Sequence, residues 1–212
     1  MLAFDRTLLA NQSHWLVREI IHFMKRTLKR LDVTARSLFA LIEPGSACSG
    51  SLFEVALAAD RTYMLDDPEQ PNEIALSGMN GGLLPMSNGL TRLQSRFLGE
   101  PDTVDELLSH AGLFGAEAAL EAGLVTFAPD EFDWDDEVRL AIEGRVAFSP
   151  DALTGLEANL RFAGPETMET KIFGRLSAWQ NWMFQRPNAV GERGALKVYG
   201  QQGRPEFDWK RT

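Results

Sequence analysis

The residues best suited to chemistry lie in one stretch, residues 37–60, SLFALIEPGSACSGSLFEVALAAD. An apolar run over 38–42 stops at a small-residue stretch, 43–50, which opens onto an apolar helix with one acid, Glu54, in its first turn or so. A strand that feeds a helix through such a loop leaves several backbone N–H groups unpaired at the helix start. They lie in the positive field of the helix dipole, so a carbonyl oxygen gaining negative charge is stabilised there. Cys48, in the same turn, is either a polarisable group of the site or a small buried apolar residue, and nothing basic adjoins it to lower its pKa. Glu43 ends the strand ahead of Pro44, which restricts its backbone. It either joins the chemistry or binds N–H groups of the turn.

The elements that position this turn follow from pattern. Residues 1–10 give no firm element. Ser13 caps a long helix with Leu16, Ile20, Phe23, Leu28 and Leu31 near helical spacing. Its other face carries Lys25, Arg26, Lys29 and Arg30, either a solvated face or a patch for phosphates or an acidic neighbour. His14 and His22 diverge by about 80° around such a helix, and no metal site is read from them. Residues 61–65 form a short strand and 66–72 a proline-broken loop, and 73–77 suits another strand. The glycine-rich 78–89 lacks the Walker spacing and the pattern GxGxxG. A helix is expected over 88–98, with Leu90, Leu93 and Phe97 on one face, then helices over 103–110 and 115–121 and a strand over 124–127. The acidic run 130–137 opens a helix through 148, since acids suit a helix N-terminus.

From Ser149 the texture changes. One helix starts at Ser149-Pro150-Asp151, and a longer one runs from Pro165-Glu166 through Phe184. Trp179 and Trp182 within one turn predict a packing or subunit face, hence an oligomer, with a homodimer expected. Residues 186–212, rich in Pro, Gly and charge, read as an extended arm or a loosely ordered tail. The expected division is a core over 1–148 and a helical region with its tail over 149–212.

Composition narrows the function classes. A chain of 212 residues is most simply one domain with an ample core. Its 21 basic against 30 acidic residues give a net charge of −9, which disfavours a nucleic-acid binder. A single cysteine excludes an internal disulfide and fits a reducing compartment. No apolar run approaches membrane-spanning length, and no leader pattern opens the chain. The expected location is cytoplasmic, with no membrane and no nucleic-acid partner.

The central turn resembles the signature of the crotonase (enoyl-CoA hydratase/isomerase) superfamily: strand 38–42, glycine-rich turn 45–50, Glu54, and the small-residue run 56–60. LPMSNGLTRL over 84–93 and GAEAALEAGLV over 115–125 are similar to two further stretches of that family, in the same order. The tail 149–191, LDVTARSLFALIEPGS over 31–46 and GLTRLQSRFLG over 89–99 are similar to the later part of the benzoyl-CoA-dihydrodiol lyases. These are long members of the superfamily that open a dihydroxylated ring held as a coenzyme A thioester.

The resemblance implies an α/β fold, a partial crotonase-like spiral followed by a helical C-terminal region. It implies an acyl-CoA thioester as substrate, with no cofactor besides the coenzyme A of that substrate and no metal. It implies that the amides at Gly50 and Ser51, beside Cys48, hold the thioester oxygen, and that Glu54 is the catalytic acid or base. The family's second glutamate would fall at 77–80, where Ser77, Gly78, Met79 and Asn80 stand. The family's upstream loop has only residues 1–10 to correspond to it. Three functions stay open: a ring-opening lyase or its C-terminal portion, a scaffold or dimerisation half pairing with an upstream crotonase-like half, and a stand-alone hydratase or isomerase.

Overall fold

The computed structural model describes residues 1–211. Helix α1 (Leu2–Ala10) occupies the stretch where the pattern gives no firm element, and it buries Asp5 and Leu8 on one face. Helix α2 (Trp15–Asp32) follows. Its N-cap is His14 rather than Ser13, with the imidazole Nδ1 accepting from the Leu16 N–H at 3.3 Å. An imidazole acceptor satisfies the orphan donor much as a hydroxyl would.

Strands β1 (Phe39–Ile42) and β2 (Arg61–Met64) pair in parallel, Phe39 opposite Arg61 and Ile42 opposite Met64. Parallel neighbours need a crossover. It consists of the small-residue turn, a 3₁₀ turn (Gly50–Leu52) and helix α3 (Phe53–Leu57), which buries Phe53, Ala56 and Leu57. These join Ile42, Met64, Ile74, Leu93, Ala119 and Leu124 in the main core. A second cluster gathers Leu8, Ile21, Met79 and Leu84 beneath α1 and α2.

Elsewhere the extended segments are shorter than expected. Residues 73–77 contribute only isolated bridges, Ile74 to Phe114 and Ala75 to Ser49, and 124–127 only that of Phe127 to Tyr63. The helix expected over 88–98 is reduced to α4 (Arg92–Arg96), because Thr91 and Gln94 close a capping box at its start. Helices α5 (Asp102–Ser109), α6 (Ala116–Glu121) and α7 (Trp134–Val146) follow. No helix of the described residues is long and apolar enough to cross a membrane.

The chain divides into two compact units: Met1–Val33 with Leu38–Arg139, and Thr34–Ser37 with the chain from Leu140 on. In the second, α8 (Pro150–Leu160) buries Asp151 and Glu157. Arg186 pairs with Asp151 at 3.1 Å, Arg161 with Glu157 at 2.9 Å, and Ser37 Oγ donates to Glu157 at 2.9 Å. The long helix expected through Phe184 contains a π-helical run (Thr170–Leu176) that continues as α9 (Ser177–Met183). Trp179 and Trp182 meet edge to face at 5.4 Å, and the Arg186 guanidinium lies 4.7 Å from the Trp182 ring centre. The segment expected as an extended arm forms two short helices, α10 (Pro187–Val190) and α11 (Ala195–Val198). The buried amide of Asn188 ties it down, accepting from the Asp208 N–H at 2.8 Å.

Candidate functional site

The turn between β1 and α3 is closed rather than open. Gly50 has φ +57, a left-handed conformation that glycine adopts at no steric cost, and its N–H donates to the Ala75 carbonyl at 2.8 Å. The Ser51 N–H donates to Asp5 Oδ2 at 2.7 Å, and the Ser51 hydroxyl to Asp5 Oδ1 at 2.7 Å. The Ser77 hydroxyl donates to Asp5 Oδ2, also at 2.7 Å. Asp5 is fully buried. A Cβ on residue 50 would lie 2.1 Å from Asp5 Oδ2, so the missing side chain of Gly50 is what lets the carboxylate approach. The amides expected to be unpaired at Gly50 and Ser51 are therefore both occupied. The physical reason is the one that made them candidates: donors converging at a helix start attract an anion, and α1 supplies one from within the chain.

Glu54 is equally enclosed, at 1% exposure. Its Oε1 accepts from the Asn80 side-chain amide at 2.7 Å and its Oε2 from Arg92 Nη1 at 3.0 Å. Arg92 Nη2 reaches Asp32 Oδ1 at 2.7 Å and the Leu28 carbonyl at 3.1 Å. Burial pushes the Glu54 carboxyl above the usual carboxylate range. The Asn80 hydrogen bond and the Arg92 charge pull against that rise, and Asp32 adds to it. A general acid or base needs reach to a proton on substrate. In this structure both Glu54 oxygens are engaged inside the protein, by Asn80 and Arg92.

The other candidates also have structural partners. Cys48 is half-buried against the main core, and burial pushes its thiol up, away from a reactive thiolate. Glu43 Oε1 accepts from the Trp134 indole at 2.9 Å rather than from an N–H of the turn. Where a second acid was sought, Asn80 donates to Glu54 and Ser77 to Asp5. Among the described residues no group of three or more His, Cys, Asp or Glu could hold a metal ion. Two surface cavities, about 450 and 310 Å³, are lined by other residues, the larger by Phe97, Glu106 and His110 among others, the smaller by Arg36 and Trp209 among others.

Sequence reasoning missed Asp5, Asp32 and Arg92. Two of them carry a local signal. Asp32 ends α2, where the helix dipole disfavours an acid unless a cation meets it. Arg92 interrupts the apolar face of Leu90 and Leu93. Asp5 carries none, because its partners lie 46 and 72 residues away.

Comparison with solved structures matches the chain to enoyl-CoA hydratases. The Geobacillus kaustophilus enzyme superposes with a TM-score of 0.69 at 17% identity, covering 91% of this chain and 69% of that one. The enoyl-CoA hydratase/isomerase of Cupriavidus metallidurans gives 0.67 at 19% identity, covering 92% and 69%. This is the crotonase fold. On the crotonase fold, the chain is also 58% identical over its whole length to the benzoyl-CoA-dihydrodiol lyase of Aromatoleum evansii, and it spans 38% of that lyase's length. No family model matches the chain.

Two outcomes are expected from these contacts. Asp5→Ala strands buried donors on Ser51 and Ser77, so denaturant melts should show a loss of about 2–4 kcal/mol, against under about 0.5 kcal/mol for the exposed control Glu131→Ala. A carboxyl raised in the folded state stabilises most below its ordinary pKa, and that contribution is lost as pH rises through the folded value. Unfolding free energy measured upward from about pH 4 should therefore fall more steeply in the wild type than in Glu54→Gln, which cannot titrate.

Proposed function

We propose that this chain is a portion of a benzoyl-CoA-dihydrodiol lyase and serves it as a structural part, the chemistry on the thioester being done elsewhere in the lyase. The identity of 58% across the chain supports the lyase. The structural role rests on one observation, the Asp5 carboxylate lodged on the Ser51 N–H and hydroxyl. An oxyanion site must offer its donors to an oxygen that develops charge during reaction. Here an anion of the protein already takes them. The engaged carboxylate of Glu54 supports the same reading over the one in which Glu54 moves a proton.

On this reading the acyl-CoA thioester is the substrate of the whole lyase, and no metal or separate cofactor is called for in this chain. A reducing, cytoplasmic setting is supported by the lone Cys48. Assembly with further chain, in the remainder of the lyase or in a homodimer, is supported by Met168, Phe173 and Leu176, which are more than half exposed beside the Trp179–Trp182 pair.

Titration calorimetry of the 212-residue chain with benzoyl-CoA tests the proposal, paired with an assay for ring-opened product from the dihydrodiol. The expected result is no saturable heat up to millimolar ligand and no product. Micromolar binding with turnover that Glu54→Gln abolishes would overturn the structural role and restore the catalytic one.

A further inference from the structure

The smaller of the two cavities, about 310 Å³, is lined by residues of the second compact unit alone. Three segments build it: residues 35–37 ahead of β1, the end of α7 with the start of α8, and the indole of Trp209. Cavities of this size suit small molecules when their walls are mostly apolar and a few polar groups converge in them. The apolar walls here are Ala35, Val146, Pro150, Leu153 and Trp209. The charged residues of the lining are Arg36 and Arg145, and no acid joins them. In a chain with 30 acidic against 21 basic residues, that choice of sign sets the cavity apart. The larger cavity is its opposite, with Glu100, Glu106 and Glu121 in its lining and no Lys or Arg.

The polar groups of the lining differ in what they can offer a ligand. The Ser37 hydroxyl donates to Glu157 and the Thr154 hydroxyl to the Pro150 carbonyl at 3.0 Å, so neither has a proton left to give. Among the described residues, the Arg36 guanidinium makes no hydrogen bond or ion pair. Its fork of N–H groups matches the two oxygens of a carboxylate. Arg145, in the last turn of α7, adds a second positive charge to the same lining. Glu157, the acid that Ser37 bonds, is already met by Arg161 at 2.9 Å.

Trp209 is held in place. The N–H of Asp208 beside it donates to the side-chain carbonyl of the buried Asn188 at 2.8 Å, and Phe207 meets the indole edge to face at 6.4 Å. Trp209 nevertheless stays 44% exposed, so packing does not use up its ring. A fixed indole offers a flat apolar wall that costs little further ordering when a ligand binds.

We propose that this cavity binds a small aromatic carboxylate, its ring against Trp209 and its carboxylate oxygens on the Arg36 fork, with Arg145 adding its charge. The head group is argued from the two guanidinium groups. The body is argued from the walls, which carry no side-chain donor except the indole N–H. Inorganic phosphate matches the charges but leaves the apolar walls unused. The lining includes no residue of the turn after β1, so the proposal does not depend on the structural reading of that turn.

Sodium benzoate titrated into the 212-residue chain tests the site, with the Trp209 indole N–H followed by nuclear magnetic resonance and assigned from Trp209→Phe. A saturable shift is expected, with a Kd of about 1 mM or tighter. Inorganic phosphate, and benzamide, which lacks the charge, should each bind at least about ten-fold more weakly. Arg36→Gln should weaken benzoate binding at least about ten-fold. Its circular dichroism should be unchanged, because Arg36 is exposed. No saturation up to about 10 mM benzoate overturns the site. Benzamide binding as tightly as benzoate, or unaltered affinity in Arg36→Gln, overturns the role of the guanidinium groups. Phosphate binding as tightly as benzoate overturns the aromatic ligand. Should Arg36→Gln fail to fold, the comparison of benzoate with benzamide on the unaltered chain still decides. Any of these failures leaves the Asp5 contact with Ser51 as it stands, so it is distinguishable from a failure of the structural reading.

Discussion

A fully buried carboxylate, that of Asp5, is the constraint on which the rest of this structure depends. Removing Asp5 from solvent costs several kcal/mol, and three donors offset that cost, the Ser51 N–H, the Ser51 hydroxyl and the Ser77 hydroxyl. None of the three is a cation, so the contact is a hydrogen-bonded anion site rather than an ion pair. It joins α1, the turn after β1 and the loop that begins at Ser77, segments far apart in the chain. Gly50 makes the approach possible by lacking a Cβ. The features that suit a turn to an external oxyanion are here used to fasten the first helix to the core.

A second polar network adjoins the first through Asn80. Its side-chain amide donates to the Gly50 carbonyl at 3.1 Å and to Glu54 at 2.7 Å, while its own carbonyl accepts from the Ser77 N–H at 2.9 Å. Beyond Glu54 lies Arg92, whose guanidinium spans Glu54 and Asp32, all three nearly inaccessible to solvent. Replacing one member of such a buried set typically costs about 3–5 kcal/mol, because the partners are left charged and uncompensated. A network that stiff holds α2, α3 and α4 in fixed relation.

Much of the fold is legible in the sequence. The β1–turn–α3–β2 unit follows from an apolar run, a glycine-rich stop and an apolar helix, and α5, α6 and α8 lie within a residue or so of their expected places. What was not legible depends on contacts between distant segments. Helix α1 is nine residues long with no side-chain cap, and it is anchored by Asp5 across 46 and 72 residues of sequence. The segment over 73–77 is too short to announce whether it joins a ladder or only touches one. At the site, the sequence singled out this turn and Glu54. It could not show that the anion for that turn comes from the chain itself, since a donor array looks the same whether its acceptor is a ligand or a neighbouring side chain.

The central claim, that the donors of the turn serve the protein's own carboxylate, is tested most directly at the Ser51 amide by nuclear magnetic resonance. A charge-assisted hydrogen bond of 2.7 Å should move that proton well downfield. The account predicts a resonance that stays in place as benzoyl-CoA is added up to millimolar concentration, and that moves upfield in Asp5→Ala without any ligand. A Ser51 resonance that shifts progressively with benzoyl-CoA in the unaltered chain would contradict it.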